Sequence, residues 1–225
     1  MKVLLFDIDG TLIDAGGAGQ TAMENAIAEV FGKASPVSGI PTAGRTDRAI
    51  AADLFQFHGI EIDDDGWSRY TSAYYRLLPH SLKTRTGRIL PGVISLLDRL
   101  KQRDDVLLGL LTGNFAEGAR LKLLHYGIDH HFRFGGYGDV HHDRDDVARE
   151  AYRLTRSHLP DIEPDRVWVI GDTPSDIRCG RAIGAKVLAV GTGMFETREL
   201  EPHKPDLLLD DLSQPDHWLT LVGLT

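Results

Sequence analysis

The chain has 225 residues, 42% of them hydrophobic and 26% charged, which suits one large domain, or a core with a smaller insertion, and excludes a disordered chain. Lys and Arg number 25 against 33 Asp and Glu, a formal charge of -8, so neither nucleic acid nor an anionic membrane surface is expected as a main partner. The single cysteine, Cys179, allows no intrachain disulfide and points to the cytosol; the N-terminal apolar run is too short for a signal-peptide core, and no later run approaches the length of a membrane span.

Val3 to Phe6 is an unbroken apolar run bounded by Asp7 and Gly10, the pattern of a strand buried on both faces. From about Gly16 to Arg88 no strand pattern follows. Ala18, Ala22, Met23, Ala26, Ile27, Val30 and Phe31 predict one amphipathic helix. Ile50, Ala51, Leu54 and Phe55 predict a second, and Trp67, Tyr70, Tyr74, Leu77 and Leu78 a third. Linkers near Asp14–Gly17 and Lys83–Pro91 hold glycines, as a hinge would.

Beyond the second linker the period changes repeatedly. Val93, Leu96, Leu97 and Leu100 predict a helix starting near Pro91. Leu107 to Leu111 predicts a strand ending at Thr112-Gly113-Asn114, and Phe115 to Tyr126 a helix stopped by Gly127. Asp143 to Ser157 predicts a helix with acidic residues in its first turn. Val167 to Ile170 predicts a strand ending at Gly171-Asp172, and Asp176 to Ile183 a helix stopped by Gly184. Val187 to Val190 and Leu207 to Leu209 complete the strands. This alternation implies an α/β, Rossmann-like parallel sheet with helices on both faces, plus an inserted helical domain. The expected division is a core of residues 1–15 and 89–225 and an insertion of residues 16–88.

Every predicted strand stops at a small or acidic residue, and open parallel sheets bind ligands beyond the carboxyl ends of their strands. Asp7, Asp9, Thr112, Gly113, Asn114, Asp172 and Asp176 are the residues found there. Four carboxylates at one edge repel one another and call for a hard divalent cation, with Mg2+ the default choice for an all-oxygen set. Asp7 and Asp9, two residues apart, point to the same side and can flank one substrate atom, with Gly10 allowing a sharp turn after them.

Taken in order, Asp7-x-Asp9-Gly10-Thr11, Leu111-Thr112-Gly113-Asn114 and Gly171-Asp172-x-x-x-Asp176 resemble the three motifs of the haloacid dehalogenase superfamily of hydrolases. The resemblance covers the whole chain, because the helical insertion falls where that family places its first type of cap. It implies that Asp7 is a nucleophile forming an aspartyl-phosphate and that Asp9 is the acid and then the base. It implies a Mg2+ site made by the Asp7 carboxylate, the Asp9 backbone carbonyl and Asp172, with Asp176 orienting its surroundings from behind. Thr112 and the N–H groups of Gly113 and Asn114 would hold phosphate oxygens.

By the same resemblance, an acid at position 9 favours phosphate-ester hydrolysis over dehalogenation. A phosphomutase or other phosphotransferase uses the same chemistry. A phospho-aspartate switch or a silent binding protein is the reading from another class. The expected partner is a small phosphorylated metabolite, met by a monomer or homodimer.

One position departs from the family. A basic residue, usually Lys, is expected at the start of the helix before the last motif, but Asp139 to Asp146 holds no Lys. Arg144 is expected to supply the charge, with Lys122 second because it lies two turns down its own helix, roughly 10 Å from the sheet edge. Gly44-Arg45-Thr46-Asp47-Arg48 resembles a segment in the caps of phosphoglycolate-phosphatase-like members, and Arg45 is expected to meet an anionic part of the substrate.

Overall fold

The computed structural model describes residues 1–33 and 39–224. In chain order, β1 (Lys2–Phe6) leads to β2 (Ile13–Asp14), helices α1 (Ala18–Phe31), α2 (Asp47–His58) and α3 (Asp64–Thr84), and β3 (Arg88–Ile89). There follow α4 (Val93–Lys101), β4 (Val106–Leu111), α5 (Ala116–His125), β5 (Gly135–Gly136) and α6 (Arg144–His158). The chain closes with β6 (Val167–Gly171), α7 (Pro174–Ala182), β7 (Lys186–Val190), α8 (Thr197–Leu200), β8 (Leu207–Leu209) and α9 (Pro215–Leu221).

Six strands form one sheet of order β5-β4-β1-β6-β7-β8, parallel throughout. Its strands are apolar along their length because both faces are covered. Leu4 and Phe6 of β1, Trp168 and Ile170 of β6, and Leu188 and Val190 of β7 face one core, together with α4, α5 and α9. The alternate residues Val3, Leu5, Val167, Val169, Val187 and Ala189 face the other, with α6, α7 and α8. β1 is central, and the chain builds outward to β4 and β5 before crossing to β6. That reversal opens a crevice at the carboxyl ends of β1, β4 and β6.

The insertion is helical, as its sequence predicts, with residues 34–38 outside the described part. Its linkers are more ordered than a glycine hinge. β2 and β3 pair antiparallel, Ile13 opposite Ile89 and Asp14 opposite Arg88, so the chain leaves and re-enters the core side by side. Rings tie the three helices to one another, and α3 to the core. Phe55 packs edge-on against Phe31, Trp67 and Tyr70. Phe115, at the head of α5, meets Trp67 and Tyr74 with centroids 5.9 and 5.8 Å away.

Two departures from the expected elements have simple causes. β5 is a pair of glycines, and a Cβ on Gly136 would lie 2.6 Å from the Val147 carbonyl oxygen of α6. The edge strand exists because the helix packs onto bare backbone, which propensity argues against. Helix α7 begins at Pro174, two residues before the expected start, because Thr173 and Asp176 form a reciprocal capping box.

Candidate active site

The site begins with a turn. After β1 the chain bends at Gly10, whose φ is +87° and whose Cβ, had it one, would lie 2.3 Å from Asp172 Oδ2. Only glycine meets both demands. The bend leaves Asp7 and Asp9 lining one cavity of about 450 Å³ with Gly10, Thr112, Gly113, Asn114, Arg144 and Asp172. Asp14, Met23, Arg45, Asp47, Ile50 and Lys122 extend the lining into the insertion and α5.

One half of the site is acidic and buried. Carboxylate oxygens of Asp7, Asp172 and Asp176 lie within 4.8 Å of one another, all three residues buried. Arg144 enters from the first turn of α6 and donates to Asp7 Oδ1 at 3.2 Å, to the Leu111 carbonyl at 3.2 Å, and to Asp176. Asp176 is saturated: its second oxygen accepts from the Thr173 amide at 3.0 Å and hydroxyl at 2.7 Å. Asp172 accepts from the Thr11 hydroxyl at 2.9 Å.

Burial pushes the Asp7 carboxyl up to about 7, Arg144 working against the rise and Asp176 and Asp9 adding to it. Asp172 is also raised, by burial first and then by Asp176 and Asp7. Burial opposes the charge on Arg144, but Asp176 and Asp7 outweigh it and hold the guanidinium firmly protonated. Three clustered carboxylates face one guanidinium, so the donor set is an excess of hard oxygens and fits a divalent cation.

The other half carries the second acid. Asp9 Oδ2 accepts from Lys122 Nζ at 2.5 Å and from Asn114 Nδ2 at 2.9 Å. Lys122 also donates to Asn114 Oδ1 at 2.6 Å. Thr112 Oγ1 accepts from the Asn114 side chain at 2.8 Å and from its amide at 3.3 Å, and the Thr112 hydroxyl is hydrogen-bonded to Asp7. The expected distance of Lys122 from the sheet edge is therefore corrected. Helical side chains lean toward the helix N-terminus, and the long lysine stem carries its charge back up α5 to the strand ends.

Arg144 is 3% exposed and turned inward; the exposed acids Asp143 and Asp146 and the half-buried Asp145 pair with Arg178 and Arg149 instead. Arg45 lines the cavity, but its guanidinium is held by Asp53 at 2.6 Å and by the Pro41 carbonyl at 3.1 Å. Asp47, two residues further along the same segment, is buried. Its amide donates to the Gly113 carbonyl at 2.7 Å, and its carboxylate accepts from the Phe115 amide at 2.9 Å. The visible signal was an acid in the first turn of α2, which a solvated helix start carries just as often.

Burial raises the Asp47 carboxyl to about 6, against the pull of Lys122 and the Phe115 amide. A raised carboxyl stabilises the fold below its unfolded value of 3.8, and that contribution is lost as pH rises through about 6. Asp47→Asn should therefore gain stability relative to the wild type between pH 4 and pH 7, by on the order of 2 kcal/mol. Urea unfolding at both pH values checks this, and a constant difference between the two proteins would contradict it.

The chain is similar to known proteins in sequence and in fold. The profile of the haloacid dehalogenase-like hydrolase family matches residues 1–184. Phosphoglycolate phosphatase 1 of Pseudomonas aeruginosa is 25% identical over 223 residues, covering 94% of this chain and 77% of its own. Pyrophosphatase PpaX of Oceanobacillus iheyensis is 23% identical over 226 residues, covering 99% of this chain and 97% of its own. Among solved structures, a "predicted phosphoglycolate phosphatase" from Haemophilus somnus aligns with a TM-score of 0.73 at 20% identity, over 97% of each chain. CbbY from Rhodobacter sphaeroides, in complex with phosphate, aligns with a TM-score of 0.71 at 19% identity, over 95% of this chain and 96% of its own. The structural likeness speaks for the fold; the profile match, which spans most of the sequence and all three strand-end motifs, places the chain among the haloacid dehalogenase-like hydrolases.

Proposed function

We propose that the chain hydrolyses a small-molecule phosphate monoester through an aspartyl-phosphate formed on Asp7. The observation that carries this reading is the meeting, in one cavity, of two acids from the end of β1 with the Thr112–Asn114 donors and a dense carboxylate cluster. The named activities of the curated relatives, phosphoglycolate phosphatase and pyrophosphatase, fit the same chemistry.

An Asp7 oxygen attacks phosphorus, a new P–O bond forms, and the bond to the leaving oxygen breaks. Asp9 gives that oxygen its proton. Water then attacks the phosphorus of the aspartyl-phosphate while Asp9 takes its proton, and inorganic phosphate leaves as the Asp7 carboxylate is restored. The Thr112 hydroxyl and the Gly113 and Asn114 amides hold the phosphoryl oxygens. The Asp7 and Asp172 carboxylates and the Asp9 carbonyl would hold a divalent cation, Mg2+ in our reading, which supplies charge neutralisation between nucleophile and phosphoryl group when bound. Asp176, saturated by Arg144 and Thr173, acts from behind by fixing Arg144.

The core, residues 1–15 and 89–225, carries the chemistry, and residues 16–88 form a cap that limits access to small substrates. Arg45 receives a second anionic group by exchanging its Asp53 partner for the substrate. A reducing, cytoplasmic setting suits the buried free thiol of Cys179, pushed up to about 12 by burial. Monomer and homodimer both remain compatible with this chemistry.

A panel of phosphorylated metabolites, assayed for phosphate release, tests the reading. Release with Mg2+, lost on chelation and restored by adding Mg2+ back, is expected. Mg2+ should also raise the thermal unfolding midpoint, as any ligand of the native state must. No release from any phosphate ester, or release unaffected by chelator, would overturn the proposal.

A further inference from the structure

Lys122 is the second buried cation of the site, and its surroundings come from both halves of the molecule. From the core, it touches Asp9 and Asn114. From the insertion, α1 passes so close that a Cβ on Gly19 would lie 3.3 Å from Lys122 Nζ. Asp47 of α2 completes the enclosure, its charge acting on the ammonium after that of Asp9. Lys122 is 4% exposed, so these carboxylates, rather than water, balance it.

Asp47 also grips the loop that follows β4. Its amide holds the Gly113 carbonyl and its carboxylate holds the Phe115 amide, on either side of Asn114. In a planar trans peptide, the N–H after a fixed carbonyl points the opposite way. The Asn114 amide accordingly faces Thr112 Oγ1, and the Asn114 side chain is free to hold Asp9. Neighbouring residues reinforce the dock: Thr46 Oγ1 donates to the His142 carbonyl at 3.3 Å, and Arg48 donates to the Asp139 carbonyl at 3.0 Å.

We infer that Lys122 is a positioning residue for Asp9, distinct from Arg144 on Asp7, and that Asp47 makes this hold conditional on docking of the insertion. The inference rests on Asp9 being the proton donor of the proposed reaction. Two cations thus serve two carboxylates: one guanidinium fixes the attacking group, and one ammonium fixes the group that protonates the leaving oxygen. With the insertion lifted, Lys122 loses Asp47 and Gly19 as neighbours and gains water, and Asp9 loses its fixed geometry. Proton transfer is then completed only in the docked arrangement.

A positioning role on the proton donor has a signature that general damage to the site lacks. An activated nitrophenyl phosphate expels its leaving group without a proton, whereas an alkyl phosphate needs one. The test compares kcat/KM for nitrophenyl phosphate with kcat/KM for the alkyl phosphate that the wild type turns over fastest, at saturating Mg2+. Lys122→Met should lose about 100-fold on the alkyl ester and less than about 10-fold on the aryl ester. Asp47→Asn, nearly isosteric, should show the same asymmetry at about 10-fold, and the double variant should lose no more than Lys122→Met alone.

Equal losses on both esters in the single variants, or additive losses in the double variant, would overturn the inference. Asp9→Asn separates this failure from failure of the phosphatase reading. If Asp9→Asn keeps full activity on the alkyl ester, the reading beneath the inference is wrong. If it loses that activity while Lys122→Met keeps it, only the inference falls.

Discussion

Asp7→Asn is expected to reduce phosphate release to assay background, a loss of at least ~10^4-fold, with the fold intact. Asparagine keeps the shape of the side chain and its hydrogen-bonding oxygen toward Arg144, but it cannot form the acyl phosphate. Folding should tolerate the change because the native site already works against a charged group there, raising the Asp7 carboxyl to about 7 by burial. Arg144 keeps Asp176 and the Leu111 carbonyl as partners. Phosphate release and circular dichroism on the same preparation check both halves. Turnover within about tenfold of the wild type by a stably folded Asn variant would remove Asp7 from the nucleophile's place.

Arg144→Met is expected to damage both activity and stability. The guanidinium holds Asp7, Asp176 and the Leu111 carbonyl at once and is almost fully buried. Removing it leaves two buried carboxylates facing each other, at a cost of about 3–5 kcal/mol when one partner of a buried ion pair is lost. Activity should fall by about 10^3-fold, because the attacking oxygen loses its fixed direction. Arg144→Lys should fall between the two, since an ammonium restores the charge but not the planar fork that reaches three acceptors. Denaturant unfolding separates the stability loss from the kinetic one. An Arg144→Met protein with near wild-type turnover would show that the cation at this helix start is structural.

The two cations of the site differ in how readily the sequence reveals them. Arg144 follows Asp143, a helix cap, so its place at the sheet edge could be read from the helix start. Lys122 lies in the last turn of its helix, where counting turns puts its Cα far from the edge; only the direction and length of its side chain bring it back. Asp47 was hidden differently. An acid in a first helical turn is ordinary, and nothing local distinguishes a solvated one from one bound to a backbone carbonyl and a backbone amide of another segment.

The sheet was legible wherever strands are buried on both faces, because such strands must be apolar throughout, as Val3–Phe6 and Val187–Val190 are. It was not legible at β5, where two glycines make room for α6, nor at β2 and β3, which are two residues each and fixed only by each other. The strand-end acids were visible because their spacing along the chain is local. Their convergence to within 4.8 Å depends on strand order, which places β1 between β4 and β6.

Trapping the covalent intermediate tests the central chemistry most directly. The protein is mixed with Mg2+ and a turned-over phosphate ester, quenched in acid and treated with borohydride, which reduces an acyl phosphate to the alcohol. Peptide mass spectrometry then locates the reduced residue. Homoserine at position 7, absent from samples without substrate, is the predicted result. Reduction at Asp9 or Asp172 instead, or unmodified Asp7 during steady turnover, would contradict the account.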